Sequence, residues 1–255
     1  MSDFFSPGSF GRGFIASSLN PLSVFGADLV AWYDPNDSAN TIITGSGVSS
    51  LRDKSGNGRH LTQSTDANRP TLGTSASFGN ENVMTFNGTS HQLVNASFFD
   101  YNTVELATIY VAALWEANTA TSYTIALTNG STNTFSLAIR MTGTSTAVEA
   151  NANDGTVRTA TTTGLTAPYG PKLITLKFNG TAVSGFINGQ AMATTNVACA
   201  GLTAATGKLS IGVAGGGAAS FMKGKVGKMV FTKNVATAAQ DTAMHAYFNA
   251  SYGLF

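Results

Sequence analysis

The segment Pro171–Gln190, PKLITLKFNGTAVSGFINGQ, indicates the fold class of this chain. Its two alternating runs, LITLKF and VSGFI, are separated by the Asn179-Gly180 turn, and Asn188-Gly189 follows the second run. Residues that alternate along a strand point to opposite faces of a sheet, and an Asn-Gly pair between two such runs is a strong signal for a tight β-hairpin turn. The segment therefore predicts two antiparallel strands followed by a second turn.

Other segments also predict strands. Residues 28–34, DLVAWYD, are apolar on both faces, which favours a strand buried on both sides. Residues 104–116, VELATIYVAALWE, form the longest apolar run and predict a central strand. The runs NVMTF and HQLV are separated by Asn87-Gly88, which predicts another hairpin. Together these segments indicate an all-β protein.

The composition agrees with that fold class. The chain has 255 residues, of which 43% are hydrophobic, 11% are charged and 28 are glycine, so many short elements joined by turns are expected. The net charge of +1 gives no indication of binding to nucleic acid or to an anionic membrane. The single cysteine, Cys199, excludes an internal disulfide and is predicted to be a small buried residue.

The C-terminal part combines a lysine-rich strand with a helix. The segment Lys223–Lys233 places four lysines among apolar residues, which is typical of a solvated edge strand. Downstream, Thr237 and Gln240 have the spacing of a helix capping box, and Gly253 is placed to end the helix. One face of the predicted helix carries three apolar residues at a spacing of four, Met244, Phe248 and Tyr252.

Residues 1–26 differ from the rest of the chain and are interpreted as an N-terminal arm, with residues 27–255 as the domain. We expect no signal peptide, because the first residues lack a basic segment followed by an apolar one. An exposed arm rich in phenylalanine would be a liability, so it either packs on its own domain or docks on a neighbouring subunit. The candidate docking residues are Phe4, Phe5, Phe10, Phe14 and Phe25.

The order of motifs resembles the laminin-G-like, or concanavalin A-like, jelly-roll domains of tailed-phage virion proteins and bacterial surface proteins. The resemblance rests on DLVAWYD, LRDKSGNGRHLTQ, RPTL and VMTFNGT, and on GKVGKMVFTK followed by YFNASYG. It covers about residues 28–253. It implies an all-β, two-sheet antiparallel jelly-roll sandwich with one short C-terminal helix and an extended N-terminal arm.

The stretch Leu51–Gln63, LRDKSGNGRHLTQ, has two interpretations. The first is a structural turn, because glycine permits positive φ angles and Asp or Asn side chains bond to nearby backbone; its residues are Asp53, Ser55, Gly56, Asn57 and Gly58. The second is a calcium site, because carboxylate and amide oxygens are hard ligands; its candidates are Asp53, Asn57 and Asp34. The neighbouring basic residues oppose a divalent cation, so the turn is preferred and no cofactor is expected.

The sequence shows no catalytic pattern. Glycoside hydrolysis needs two cooperating carboxylates, and the four glutamates include no closely spaced E-x-D-x-x-E pattern of the hydrolases with this fold. The histidines His60, His91 and His245 are isolated along the chain. We therefore expect a protein that is not an enzyme.

Two functions remain from this reasoning. The resemblance implies a structural virion protein of a tailed phage, a capsid decoration (cement) or other surface protein, made in the host cytoplasm. It would dock through its arm on the major capsid or tail protein, and analogy favours a trimer. The alternative is a carbohydrate-binding or adhesion module that recognises surface glycans, with Tyr101, Tyr123 and Tyr169 as candidate aromatic contacts.

Overall fold

The computed structural model describes residues 19–99, 107–117, 120–128, 135–143, 146–162, 165, 169–202, 207–214 and 220–255. A short helix, α1 (Pro21–Phe25), precedes the strands. The first nine strands are β1 (Leu29–Tyr33), β2 (Thr41–Thr44), β3 (Gly47–Leu51), β4 (Leu61–Thr62), β5 (Thr71–Ser75), β6 (Glu81–Asn87), β7 (Leu93–Phe99), β8 (Thr108–Trp115) and β9 (Ser122–Thr128).

The second half of the chain supplies nine more strands and the long helix. These are β10 (Phe135–Met141), β11 (Val148–Asn153), β12 (Val157–Thr161), β13 (Lys172–Phe178), β14 (Ala182–Ile187), β15 (Gln190–Ala191), β16 (Val197–Ala198), β17 (Gly207–Ile211), β18 (Lys223–Thr232) and α2 (Ala238–Tyr252).

The strands form two antiparallel sheets. Sheet I follows the order β15-β14-β13-β8-β18-β6-β5, with β1 paired to β18 and β16 paired to β14. Sheet II follows the order β12-β11-β10-β9-β17-β7-β4-β3-β2. Apolar side chains from both sheets form one core, which includes Val111, Ile174, Ile125, Ile139 and Leu209. The predicted all-β two-sheet sandwich with a C-terminal helix is confirmed.

The outer face of sheet I is covered by helix α2. Thr237 and Gln240 form the predicted capping box, and Gly253 ends the helix in the left-handed conformation. The predicted apolar face of the helix, formed by Met244, Phe248 and Tyr252, is buried. It packs with residues of sheet I that include Tyr110, Leu173 and Val230. Sheet I is therefore packed on both faces, which explains why β8 is apolar from Ile109 to Trp115.

Helix α1 lies at the end of the interpreted arm. Phe25 is buried and its ring lies 6.2 Å from that of Tyr110, measured between centroids. This candidate docking residue therefore packs in its own domain, where it is not available to a partner. The other four candidates, Phe4, Phe5, Phe10 and Phe14, lie outside the described residues, so the arm stays a prediction.

Two local predictions are wrong. The runs around Asn87-Gly88 are not a hairpin, because β6 belongs to sheet I and β7 to sheet II. The Asn87 side chain accepts hydrogen bonds from the backbone N–H groups of Thr89, Ser90 and His91, and this turn carries the chain from one sheet to the other. The lysine-rich β18 is a central strand with partners on both sides rather than an edge strand.

None of the helices in the described part of the chain is long and apolar enough to span a membrane.

Candidate functional site

The turn after β3 is built around the carboxylate of Asp53. One of its oxygens accepts hydrogen bonds from the backbone N–H groups of Trp32 at 3.0 Å and Ser55 at 2.8 Å. The other accepts from the Ser55 hydroxyl at 2.8 Å and from the backbone N–H of Arg59 at 3.1 Å. Asp53 thus ties the loop to strand β1.

The next residues complete this attachment. The Asn57 side chain donates to the carbonyl oxygens of Leu29 at 2.9 Å and Val30 at 3.0 Å. Gly56 and Gly58 have φ angles of 92° and 71°, which residues with a Cβ rarely adopt. The stretch therefore has the geometry of a structural turn that fixes the sandwich edge.

The calcium interpretation does not fit this geometry. All four hydrogen bonds to Asp53 come from protein donors, and a cation would have to displace them. The Asn57 amide faces backbone carbonyls with its nitrogen, which cannot ligate calcium. The Asp34 carboxylate faces two cations, Lys54 at 3.8 Å and Lys228 at 3.6 Å. The described residues contain no group of three or more acidic, histidine or cysteine side chains that could hold a metal.

The outer face of sheet II offers a different kind of site. Among the described residues, no helix packs on this face. In each strand from β4 to β12 of this sheet order, one outward-facing residue is paired in register with an outward-facing residue of the neighbouring strand. Neighbouring strands lie about 4.8 Å apart, so this row extends for about 30 Å. We call it the cross-sheet row; its members are Thr62, Val94, Ser210, Ala126, Ala138, Asn151 and Thr159.

A polar depression lies at the β4 end of the row. It has a volume of about 530 Å³ and contains the row members Thr62 and Val94. Its other walls are hydroxyl, amide and basic side chains: Ser49, Gln63, Ser64, Arg69, Gln92 and Lys208. The volume lies within the range usual for small-molecule sites.

Buried polar atoms without partners lie farther along the same face. The Oγ of Ser210 and the amide nitrogen of Asn151 belong to the cross-sheet row, and the Oγ1 of Thr128 is on a neighbouring position of β9. These three residues are fully buried, and no hydrogen-bond partner for these atoms is present among the described residues. A buried polar group without a partner is uncommon and destabilising, so three on one face require an explanation.

A charged cluster flanks the row. Arg140 on β10 pairs with Glu149 on β11 and donates a hydrogen bond to the Tyr123 hydroxyl at 3.1 Å. Burial acts to lower the pKa of Arg140, but the hydrogen bonds to Glu149 and Tyr123 outweigh it and hold this pKa above its ordinary value. The cluster is thus an internally neutralised pair.

The aromatic candidates are not brought together as one site. Tyr123 is on the outer face of sheet II, whereas Tyr169 is partly buried against the core. Tyr101 lies outside the described residues. The row residues Ser210 and Asn151 were missed by sequence reasoning, although the alternation VEANAN in β11 is a signal for a strand with a polar outer face.

The comparisons with known proteins relate this fold to carbohydrate-active proteins. No protein-family model matches the chain, and the search of curated proteins finds no match. Among solved structures, a Trypanosoma rangeli sialidase in complex with sialic acid is similar, with a TM-score of 0.63 and 14% identity over 93% of this chain. This chain spans only 36% of that sialidase.

A second neighbour matches over nearly its whole length. It is domain 4 of AbnA, a GH43 extracellular arabinanase from Geobacillus stearothermophilus, in complex with arabinotriose. The TM-score is 0.61 and the identity 13%, over 86% of this chain and 98% of that domain. A GH54 α-L-arabinofuranosidase soaked with a cyclic sulfate inhibitor gives a TM-score of 0.60 at 14% identity, over 92% of this chain and 66% of that one.

These neighbours correct the expectation that the protein is not an enzyme. They are a sialidase, an arabinanase and an arabinofuranosidase, which are enzymes. The lack of a recognised catalytic pattern in the sequence was therefore not a sufficient reason to expect a protein that is not an enzyme. At these identities the likeness shows the fold alone and assigns none of the three activities to this chain.

Proposed function

We propose that this chain is a carbohydrate-binding module that holds a neutral oligosaccharide in the polar depression at the β4 end of the cross-sheet row. The observation that carries the proposal is the polar depression on the outer face of sheet II, on a face without a described helix. The same fold occurs in an arabinanase domain in complex with arabinotriose, which supports a sugar as the ligand.

The depression suits a short chain of sugar units. Hydroxyl and amide side chains line the depression, and they can both donate to and accept from sugar hydroxyls. The middle of the row is fully buried, which confines a ligand to the open β4 end; the buried members are Ser210, Ala126, Ala138 and Asn151.

The two arginines near the row favour an uncharged ligand over an acidic one. Arg69 in the depression already donates to Asp66 at 2.7 Å and to backbone carbonyls, including that of Gln63 at 2.9 Å. Arg140 beside the row pairs with Glu149. Because both guanidinium groups are engaged by protein acceptors, neither is poised to bind a sugar carboxylate.

The expected affinity is modest. None of the side chains that line the depression in the described part of the chain is aromatic, so the site lacks a ring on which a sugar stacks. Hydrogen bonds exchange with water and contribute little net energy each. We expect a dissociation constant in the millimolar range, about −4 kcal/mol.

The test is isothermal titration calorimetry with arabinotriose on the full chain and four variants. Thr62→Val and Gln92→Ala remove polar groups from the depression and are expected to weaken binding at least fivefold. Thr74→Val and Gln190→Ala are matched controls on exposed positions of sheet I and should bind like the unmodified protein. Equal affinity in all variants, or no saturable binding, would refute the proposal.

The sequence resemblance alone supports a placement of this protein on a virion. Docking on a capsid or tail protein, a trimeric assembly and an anchoring role of residues 1–26 stay predictions from the sequence resemblance. A glycan-binding face is compatible with that placement, because a particle-surface protein can also contact surface sugars.

A further inference from the structure

A second cavity lies on the opposite side of the molecule, between sheet I and the N-terminal half of α2. Its volume is about 160 Å³. The strands β13 and β14 form its floor and the first two turns of α2 form its roof. The residues that matter for its chemistry are Thr175, Lys177, Phe186, Asp241, Thr242 and His245.

One polar atom in this cavity has no partner. Thr175 on β13 is 2% exposed, and its hydroxyl makes no hydrogen bond to any described residue. A hydroxyl removed from water without a replacement partner destabilises the folded protein. Because this hydroxyl lies against the cavity, a ligand with its own polar groups could supply the missing partner.

The charged groups around the cavity neutralise one another. Lys177 donates to Asp241 at 2.5 Å and to the backbone carbonyl of Ala236 at 2.9 Å. The other oxygen of Asp241 accepts from the Tyr110 hydroxyl at 2.6 Å. Burial lowers the pKa of His245, and Lys177 lowers it further against the opposing effect of Asp241, so the ring is uncharged at neutral pH. The cavity therefore offers no net charge to a ligand.

The remaining walls define the size and polarity of an occupant. Phe186 presents a ring on one side, and the Lys177 ammonium group lies 5.6 Å from the centroid of this ring. On the helix, the Thr242 hydroxyl donates to the Ala238 carbonyl at 2.9 Å and keeps acceptor capacity. The cavity has the volume of about five water molecules in the liquid, so a single small ring fits.

We propose that this cavity is a binding site for a small neutral polyol, up to the size of one pentose. The hydroxyl of Thr175 and the ring nitrogen of His245 bond to the hydroxyl groups of the ligand, and the Phe186 ring contacts its apolar side. This site is independent of the glycan face of sheet II, because the two occupy different sheets.

The experiment is a ¹H–¹⁵N NMR titration of the full chain with L-arabinose. We expect saturable shifts in amides of α2 and β13, including those of Thr242 and His245. Thr175→Val should weaken these shifts at least tenfold while raising the melting temperature, because it removes the unpartnered hydroxyl. Thr175→Ser keeps the hydroxyl and should retain binding.

Several results would overturn the proposal. The first is the absence of saturable shifts in α2 and β13 at 100 mM L-arabinose, a concentration about a hundredfold above a millimolar dissociation constant. The second is equal binding of L-arabinose by the Thr175→Val variant. The third is stronger binding of acetate than of arabinose at these amides. The Thr62→Val variant should leave the α2 shifts unchanged. This separates failure of the cavity from failure of the glycan face.

Discussion

Replacement of Asp53 by alanine tests whether the Leu51–Gln63 stretch is a structural turn. The carboxylate accepts four hydrogen bonds, three of them from backbone N–H groups. Leaving a buried donor without a partner costs about 1–3 kcal/mol, but water reaches part of this loop. Counting only the N–H groups of Trp32 and Arg59, we expect Asp53→Ala to lower the free energy of unfolding by about 3 kcal/mol.

The measurement is urea-induced unfolding followed by tryptophan fluorescence. The slope of the free energy with urea should stay the same, since the surface exposed on unfolding hardly changes. Asp66→Ala is a matched control: Asp66 accepts the N–H of Ser46 at 3.0 Å and pairs with Arg69, but it is exposed. We expect a far smaller change for this control.

The same assay separates the turn from a calcium site. The turn predicts that millimolar calcium or a chelator leaves the stability of the unmodified protein unchanged. If Asp53→Ala lowers the stability by less than about 1 kcal/mol, or if calcium stabilises only the unmodified protein, the hydrogen-bond argument is wrong.

Three further predictions address packing, a buried hydroxyl and pH. Gly212→Ala should lower the free energy of unfolding by about 3 kcal/mol, because at a φ of 85° the new Cβ would lie 2.2 Å from a ring atom of Phe86 on β6. Gly180→Ala has a similar φ of 89° but nothing within 4 Å of the new Cβ, so it should lower the free energy of unfolding by only about 1 kcal/mol. Urea-induced unfolding measures both changes. Ser210→Ala should raise the stability by about 1 kcal/mol, and a loss of stability would show that its hydroxyl has a partner. The pKa of His245 is lowered in the folded protein, so the unfolded chain binds its proton more readily and stability falls as the pH drops below about 6.5. His245→Phe should therefore show a smaller drop in melting temperature between pH 7.5 and 5 than the unmodified protein, and an equal drop would contradict this account.

The elements predicted correctly from the sequence are those with local signals. The β13–β14 hairpin follows from its alternation and its Asn-Gly turn, and α2 follows from its capping box and its apolar spacing. In each case the deciding residues lie within about 20 positions of one another. Nearby residues are sufficient to determine a turn type or a helix end.

The predictions that failed concern pairing over long distances. The Asn87-Gly88 turn is real, but its local geometry does not determine whether the next strand joins the same sheet. Lys228 on β18 is buried, because Asp34 and Ser251 from distant segments hold its ammonium group. A lysine with such partners looks like any surface lysine in the sequence.

The glycan face could not be predicted for the same reason. Thr62, Ser210 and Asn151 are far apart in the sequence and become neighbours of one row only through the strand order of sheet II. The polar alternation of β11 indicates an outer face but not which strands extend it. The cavity beneath α2 likewise depends on how the helix lies over β13.

Mapping of chemical shifts with arabinotriose tests the central claim most directly. The account predicts saturable changes at millimolar sugar in the amides of β4, β7 and β17, which line the depression, with smaller changes towards β11. Absence of any saturable change, or changes confined to sheet I and α2, would contradict the assignment of glycan binding to the outer face of sheet II.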